Sequence, residues 1–225
     1  MLIRDWMTTN VITVTADTPM ITAGKLMKDH DIRRLPVVDN NGRVIGIVSV
    51  GDVQAASPSK ATTLDMNELY HFLLEMKIKD IMTPDPITVG PLDTVEQAAL
   101  LMLEKGLFPG GLPVVDADKK VVGIITDYDV FTVLLNITGM HEGGVQLAFR
   151  LPDKFGTLRS IFGVLWEHQA SIISVLSSSG EGGEDERNVY VRIRPMTPAQ
   201  EEALSKVLKE RFNLLYWARD EVYLT

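Results

Sequence analysis

The chain has 225 residues, 45% of them hydrophobic and 23% charged, which are the proportions of a folded globular protein with room for one or two domains. Its formal net charge of −8 argues against a general nucleic-acid binder, which needs a basic face, and the lack of cysteine excludes disulfides, thiolate catalysis and zinc-thiolate sites. No apolar run approaches the ~20 residues that span a bilayer, and residues 1–20 carry Arg4, Asp5 and alternating threonines in place of a signal-peptide core, so a cytoplasmic location without a membrane partner is expected.

From the N-terminus, Met7-Thr8 precedes a short β-prone run, Val11-Ile12-Thr13-Val14. Thr18, followed by Pro19 at a first helical position, predicts a helix start. Met20, Ala23 and Met27 give that helix its apolar face. Two further β runs follow, Leu35–Val38 and Val44–Val48, joined by the turn Asp39-Asn40-Asn41-Gly42. A second helix starts near Asp52. Gln54–Lys60 reads as a linker, and Leu69, Phe72, Leu73 and Met76 form the stripe of a bridging helix.

The pattern then returns. Met82-Thr83 precedes Ile87-Thr88-Val89, and Thr94 with Gln97 has capping-box spacing. Val95, Ala98, Ala99 and Met102 mark a helix face. Leu112–Val115 and Val121–Ile125 are the paired β runs, and a helix starts near Asp129. Pro36 to Pro113 and Gly46 to Gly123 are separated by the same offset, while Met7 to Met82 is two residues shorter. A period this long is a duplicated small domain of order β-α-β-β-α, and two facing copies create a cleft between them.

The character changes near Gly143-Gly144. Val145, Leu147, Phe149 and Leu151 alternate as a half-buried strand, and Asp153-Lys154-Phe155-Gly156 turns the chain. Leu158, Ile161, Phe162, Leu165 and Trp166 are spaced as an amphipathic helix. Ser171–Leu176 is a strand, Ser177–Glu186 a glycine- and acid-rich loop, and Val189, Val191 and Ile193 alternate again. Thr197-Pro198-Ala199-Gln200 starts a helix that runs to about Arg211, and Leu214–Ala218 closes with a strand. The order β-α-β-β-α-β is the ferredoxin-like arrangement. The fold class expected is α/β (α+β): two β-α-β-β-α repeats packed as a pseudo-two-fold pair, over 1–77 and 78–140, then a ferredoxin-like unit over 144–225.

Two motifs carry chemistry. Ser49-x-x-Asp52 and Thr126-x-x-Asp129 each follow a glycine-containing strand and open a helix. Such a spacing caps a helix, the hydroxyl and carboxylate satisfying the first backbone N–H groups. It also places a helix N-terminus, suited to phosphate, beside a hydroxyl and a carboxylate that hydrogen-bond ribose. Gly46 and Gly123 interrupt strands, which marks close backbone approach.

Met-Thr, a threonine-containing strand, Leu-Pro-Val-Val-Asp and Gly-Ile-Val/Ile-Ser/Thr-x-x-Asp, in two ordered copies over about residues 1–140, resemble a pair of CBS domains. The resemblance implies a regulatory module that binds an adenosine nucleotide between repeats: AMP, ADP, ATP, NAD or S-adenosylmethionine. It implies that Asp52 and Asp129 bind ribose, supported by Ser49 and Thr126. Ile12, Thr13, Leu35 and Pro36 would line one adenine pocket, and Ile87, Thr88, Leu112 and Pro113 the other, with Arg33 and Arg34 neutralising phosphate. Two departures point to unequal sites. Gly51 and Tyr128 stand where a basic residue often precedes the ribose aspartate, and Phe108-Pro109-Gly110-Gly111 replaces the arginine pair in repeat two.

The last unit, through Asp153-Lys154-Phe155-Gly156-Thr157-Leu158, resembles an ACT domain. That implies an amino-acid effector near Asp153, Phe155, Gly156, Thr157 and Leu158, or a dimerisation role. CBS, CBS and ACT in series resemble the acetoin-utilisation B protein family, a regulatory role. The four histidines lack metal-ligand spacing, so no metal site is expected. There is no G-x-S-x-G and no Walker loop. The expected function is a non-catalytic ligand sensor, a homodimer acting on a regulated protein. The competing reading is an interaction module with vestigial nucleotide sites.

Overall fold

The computed structural model describes residues 1–57, 75–107, 110–179 and 185–220. Leu69, Phe72 and Leu73 of the expected bridging helix, and Phe108-Pro109, lie outside the described residues. The chain divides into two compact units, Met1–Phe131 and Thr132–Thr225.

In the first unit the elements are β1 (Val14–Thr15), α1 (Met20–Asp29), β2 (Arg34–Val38), β3 (Val44–Ser49) and α2 (Val50–Ala56). Then come β4 (Thr83–Pro84), α3 (Val95–Glu104), β5 (Gly111–Val115), β6 (Val121–Thr126) and α4 (Asp127–Thr138), whose last residues belong to the second unit. β1 runs parallel to β2, and β2, β3 and β4 pair antiparallel. β5 and β6 form the matching hairpin, and the parallel bridge Val89↔Val114 stands where repeat one has β1. α1 buries Met20, Ala23 and Met27, and α3 buries Val95, Ala98 and Met102, as their spacing predicts.

One helix start differs from expectation. The Thr18 hydroxyl turns back to accept from the Thr15 N–H at 3.0 Å, so Pro19 is the N-cap and α1 begins at Met20. The Thr94–Gln97 capping box forms as its spacing predicts, with reciprocal bonds of 3.2 and 2.9 Å.

The two repeats exchange their leading segments. Ile3 and Arg4 donate to the carbonyls of Asp93 and Pro91, before α3. Their counterparts Ile78 and Lys79 donate to Thr18 and Ala16, before α1. Ile78 is fully buried among Val14, Ala23, Met27, Leu35, Val37 and Val48, inside the core of repeat one. Ile3 is equally buried. Thr8 bridges to Ile124, and Thr83 pairs with Ile47, in the same reciprocal sense. The closest approach falls on the strand glycines: a Cβ on Gly46 would collide with the Met82 thioether, and one on Gly123 with that of Met7. Arg43 bridges to Lys120, its own repeat equivalent, which puts a local two-fold axis there.

The second unit adds β7 (Gly144–Pro152), α5 (Thr157–Glu167), β8 (Ile172–Ser179), β9 (Glu186–Ile193), α6 (Pro198–Arg211) and β10 (Asn213–Asp220). The sheet order is β10-β7-β9-β8 with every pair antiparallel, the strand order of a ferredoxin-like βαββαβ unit. Val145, Leu147, Phe149 and Leu151 alternate into one core with Val189, Val191, Ile193, Ile161, Leu165, Leu204 and Leu208. Two local expectations are corrected. Trp166 is exposed and Val164 buried, because the buried stripe of α5 centres on Ile161 and Leu165 and leaves Trp166 outside it. Ser177–Ser179, expected in a loop, continue β8 against Val189, Asn188 and Arg187. Much of the remaining loop lies outside the described residues.

Candidate functional site

Ser49 and Thr126 each end a strand and open a helix. The Ser49 N–H and hydroxyl both donate to Asp52 Oδ2 at 2.7 Å. The Thr126 N–H and hydroxyl donate to Asp129 Oδ2 at 2.7 and 2.8 Å. Each aspartate N–H returns a bond to the hydroxyl, so both motifs are reciprocal caps. Every one of these carboxylate contacts uses Oδ2. Oδ1 of Asp52 and of Asp129 has no partner among the described residues, so capping and ligand binding do not compete for the same oxygen.

A cavity of about 810 Å³ lies beside the second of these helix starts. Thr126, Asp127, Tyr128 and Asp129 line it together with Ile12 and Asp31 to Arg34. A second cavity, of about 610 Å³, takes in Ser49, Val50 and Gly51 with Gly24 and Met27, and again Asp31 to Arg34 and Asp127. Both volumes fall in the roughly 300–1,000 Å³ range of small-molecule sites.

The grouping of residues crosses the repeats. Ile12, Arg33 and Arg34 of repeat one share the larger cavity with Thr126 and Asp129 of repeat two. Ser49 lines the smaller cavity, while Asp52 lines neither of these two. Thr13, Ile87 and Thr88 are half-buried and line neither. Leu35, Pro36, Leu112 and Pro113 are buried within β2 and β5. Asp31, Asp127, Tyr128 and His30 also line the larger cavity, although no motif marks them as site residues. One local signal bears on them: Asp127 and Tyr128 sit inside the Thr126-x-x-Asp129 spacing.

Burial pushes the Arg34 guanidinium below its ordinary value, while the charges of Asp127 and then Asp52 push it back up. The charges of carboxylates at both helix starts thus reach this one arginine. Helix N-termini, hydroxyls, free carboxylate oxygens and two guanidinium groups together suit a nucleoside carrying phosphate.

In the second unit, Asp153, Gly156, Thr157 and Leu158 line a small cavity of about 200 Å³ with Arg187. Gly156 has φ +86°, in the left-handed region, and is the N-cap of α5 without a side-chain cap. Arg187 clamps Asp153 with two bonds of 3.1 Å and donates to Ser177 Oγ at 2.8 Å. That guanidinium holds the Asp153 carboxyl below the usual carboxylate range. Phe155 is fully exposed.

The CBS domain family matches residues 3–59 and 78–136, more than half of the chain. The chain belongs to the CBS-domain family. Its CBS pair is 31% identical over 136 residues to a CBS domain-containing protein of Dictyostelium discoideum, covering 60% of this chain and 92% of that one. It is 35% identical to the structure of CBSX2 in complex with AMP, over 60% of this chain and 97% of that chain, with a TM-score of 0.50. It is 31% identical to the structure of a Vibrio cholerae protein assigned to acetoin utilization (AcuB), over 63% of this chain and 96% of that chain, with a TM-score of 0.52. The chain spans only 22% of a longer relative, the L-aspartate semialdehyde sulfurtransferase of Methanocaldococcus jannaschii. CBS pairs are regulatory modules, and among the described residues no helix is long and apolar enough to cross a membrane.

Proposed function

We propose that this protein is a non-catalytic sensor that binds an adenosine nucleotide in its CBS pair and passes the signal to a regulated protein. The observation that carries the reading is the larger cavity, which Thr126 and Asp129 line together with Arg33 and Arg34. In this reading Oδ1 of Asp129 takes the ribose hydroxyls, Ile12 packs on the base, and the arginine pair meets the phosphate. Ser49 and Asp52 serve a second, unequal site. The likeness to CBSX2, whose structure is a complex with AMP, supports AMP as the first ligand to test. ADP, ATP, NAD and S-adenosylmethionine share the adenosine that the site would read.

The ferredoxin-like order and the Gly156 turn support an ACT-type role for the second unit. It would bind an amino acid near Asp153, Phe155 and Thr157, or dimerise the chain. The likeness to AcuB supports a place in acetoin or related carbon metabolism. Ligand acts by favouring one of two arrangements, which changes the partner's activity.

Thermal unfolding of the full chain with a panel of adenosine compounds and amino acids tests this. A ligand of the native state at 100 times its Kd adds about 2.7 kcal/mol. For a chain of this size that raises the midpoint by roughly 5–10 °C. Such a shift with AMP or another adenosine compound is the expected result. No shift with any adenosine compound would overturn the sensor reading in favour of an interaction module with vestigial sites.

A further inference from the structure

Two substitutions break the symmetry of the repeats at one place. Arg33 and Arg34 stand where repeat two has Gly110 and Gly111: Arg34 pairs with Ser49 in the sheet, and Gly111 with Thr126. Asp127 stands where repeat one has Val50: the Val50 N–H donates to Arg33 O, and the Asp127 N–H to Gly110 O. A Cβ on Gly111 would lie 3.1 Å from Thr126 Cγ2 and 3.2 Å from Ile125 O, so a side chain at the position equivalent to Arg34 would require these neighbours to give by a few tenths of an ångström. At these positions the pair therefore holds one set of guanidinium groups and one added carboxylate, where full symmetry would give two of each. Both groups line both cavities.

Arg34 is half-buried and lines both cavities together with the carboxylates of Asp31 and Asp127. A phosphate in either cavity competes with these carboxylates for the guanidinium, because a charge-assisted bidentate contact is the strongest it can make. Once Arg34 turns to one phosphate, the other cavity faces Asp127 with less compensation. A second anion then meets a wall in which Asp31 and Asp127 are countered by less positive charge. An uncharged nucleoside leaves Arg34 where it is.

We propose that Arg34, shared by the two cavities, couples them negatively, so that an adenosine phosphate bound in one weakens the binding of a second in the other. This rests on the reading of the CBS pair as an adenosine-nucleotide site.

Isothermal titration of the full chain with AMP, and separately with adenosine, tests it. In the wild type the two AMP steps are expected to differ by about tenfold more than the two adenosine steps, within the roughly 5–150-fold span of site-to-site coupling. Arg34→Gln should bring the AMP steps together and leave the adenosine steps unchanged, and Arg34→Lys should restore part of the gap. An unliganded melting midpoint near that of the wild type shows that the Gln variant is folded. Coupling through Arg34 is overturned if AMP and adenosine show the same gap, or if the AMP gap survives Arg34→Gln. A single AMP per chain that stays single in Arg34→Gln also overturns it. Binding of neither compound by the wild type overturns the nucleotide reading together with the coupling.

Discussion

Ile78→Ala lowers the unfolding free energy of the chain by about 2–5 kcal/mol, the cost of cutting a buried isoleucine back to its Cβ. Ile78 opens repeat two in sequence, yet its side chain is fully buried in the core of repeat one, against Val14, Leu35, Val37 and Val48. The segment is pinned on both sides by backbone bonds: Met20 N–H to Met76 O at 2.8 Å, and Ile78 N–H to Thr18 O at 2.9 Å. Pinning prevents the neighbours from closing over the lost methyls, so the cavity term adds to the transfer term. Ile3→Ala, the equivalent change, should cost a similar amount, since Ile3 is as buried and Ile3 N–H to Asp93 O is also 2.9 Å. Urea unfolding of both variants measures the effect. A loss under 1 kcal/mol in both would mean that the leading segments are ornaments on the repeats and not parts of their cores.

Asp129→Ala weakens AMP binding by about 1–3 kcal/mol, the usual loss when one partner of a buried polar contact is removed. On a Kd that is roughly 5- to 150-fold. The substitution also removes the acceptor of the Thr126 N–H and hydroxyl, so it takes away one half of a reciprocal helix cap, while the Thr126 hydroxyl still accepts from the residue 129 N–H; a whole N-cap is worth about 0.5–2 kcal/mol of stability. Asp129→Asn separates the two effects. Its side-chain oxygen still caps α4, while the second position becomes an amide that donates where the carboxylate accepted. Isothermal titration should then show weakened AMP binding in both variants, with a lowered melting midpoint chiefly in the alanine variant. If Asn binds AMP like the wild type, the carboxylate serves the helix alone. Asp52→Ala should have a smaller effect on the tighter site, because Asp52 lines neither large cavity.

Most of the local structure is legible in the sequence. Alternation finds β7 and β9, and the three-to-four-residue spacing finds α1, α3 and α5. The Thr94–Gln97 and Thr197–Gln200 boxes form as their spacing dictates, since a cap needs only neighbours three residues away. What failed locally is finer. Thr18 had two acceptor roles open to it and took the turn to Thr15, and Trp166 sat at the margin of a stripe whose centre the pattern does not fix.

Of the residues the motifs mark, Ile12, Arg33, Arg34, Ser49, Thr126 and Asp129 line one or other of the two cavities, Thr13, Asp52, Ile87 and Thr88 line neither, and the grouping across repeats is not legible at all. Repetition sorts Ile12 with Ser49 and Ile87 with Thr126, because those pairs share a repeat. Exchange of the leading segments crosses that order, and Ile12 meets Thr126 and Asp129. The only trace in the sequence is the two-residue difference between the offsets of Met7/Met82 and Pro36/Pro113. It shows that the leading segment and the hairpin are separately placed, without showing which hairpin each segment joins. Asp127 likewise carries no sequence signal, because its place in the site depends on Arg34, a residue far off in sequence that lines the same two cavities.

The most direct measurement is photolabelling of the full chain with 8-azido-AMP, followed by mapping of the labelled peptides. The cleft reading predicts label on peptides containing residues 8–34 or 124–131, removed by excess AMP and reduced in Asp129→Ala. Label confined to residues 144–220, or label that excess AMP does not displace, would contradict an adenosine site between the CBS repeats.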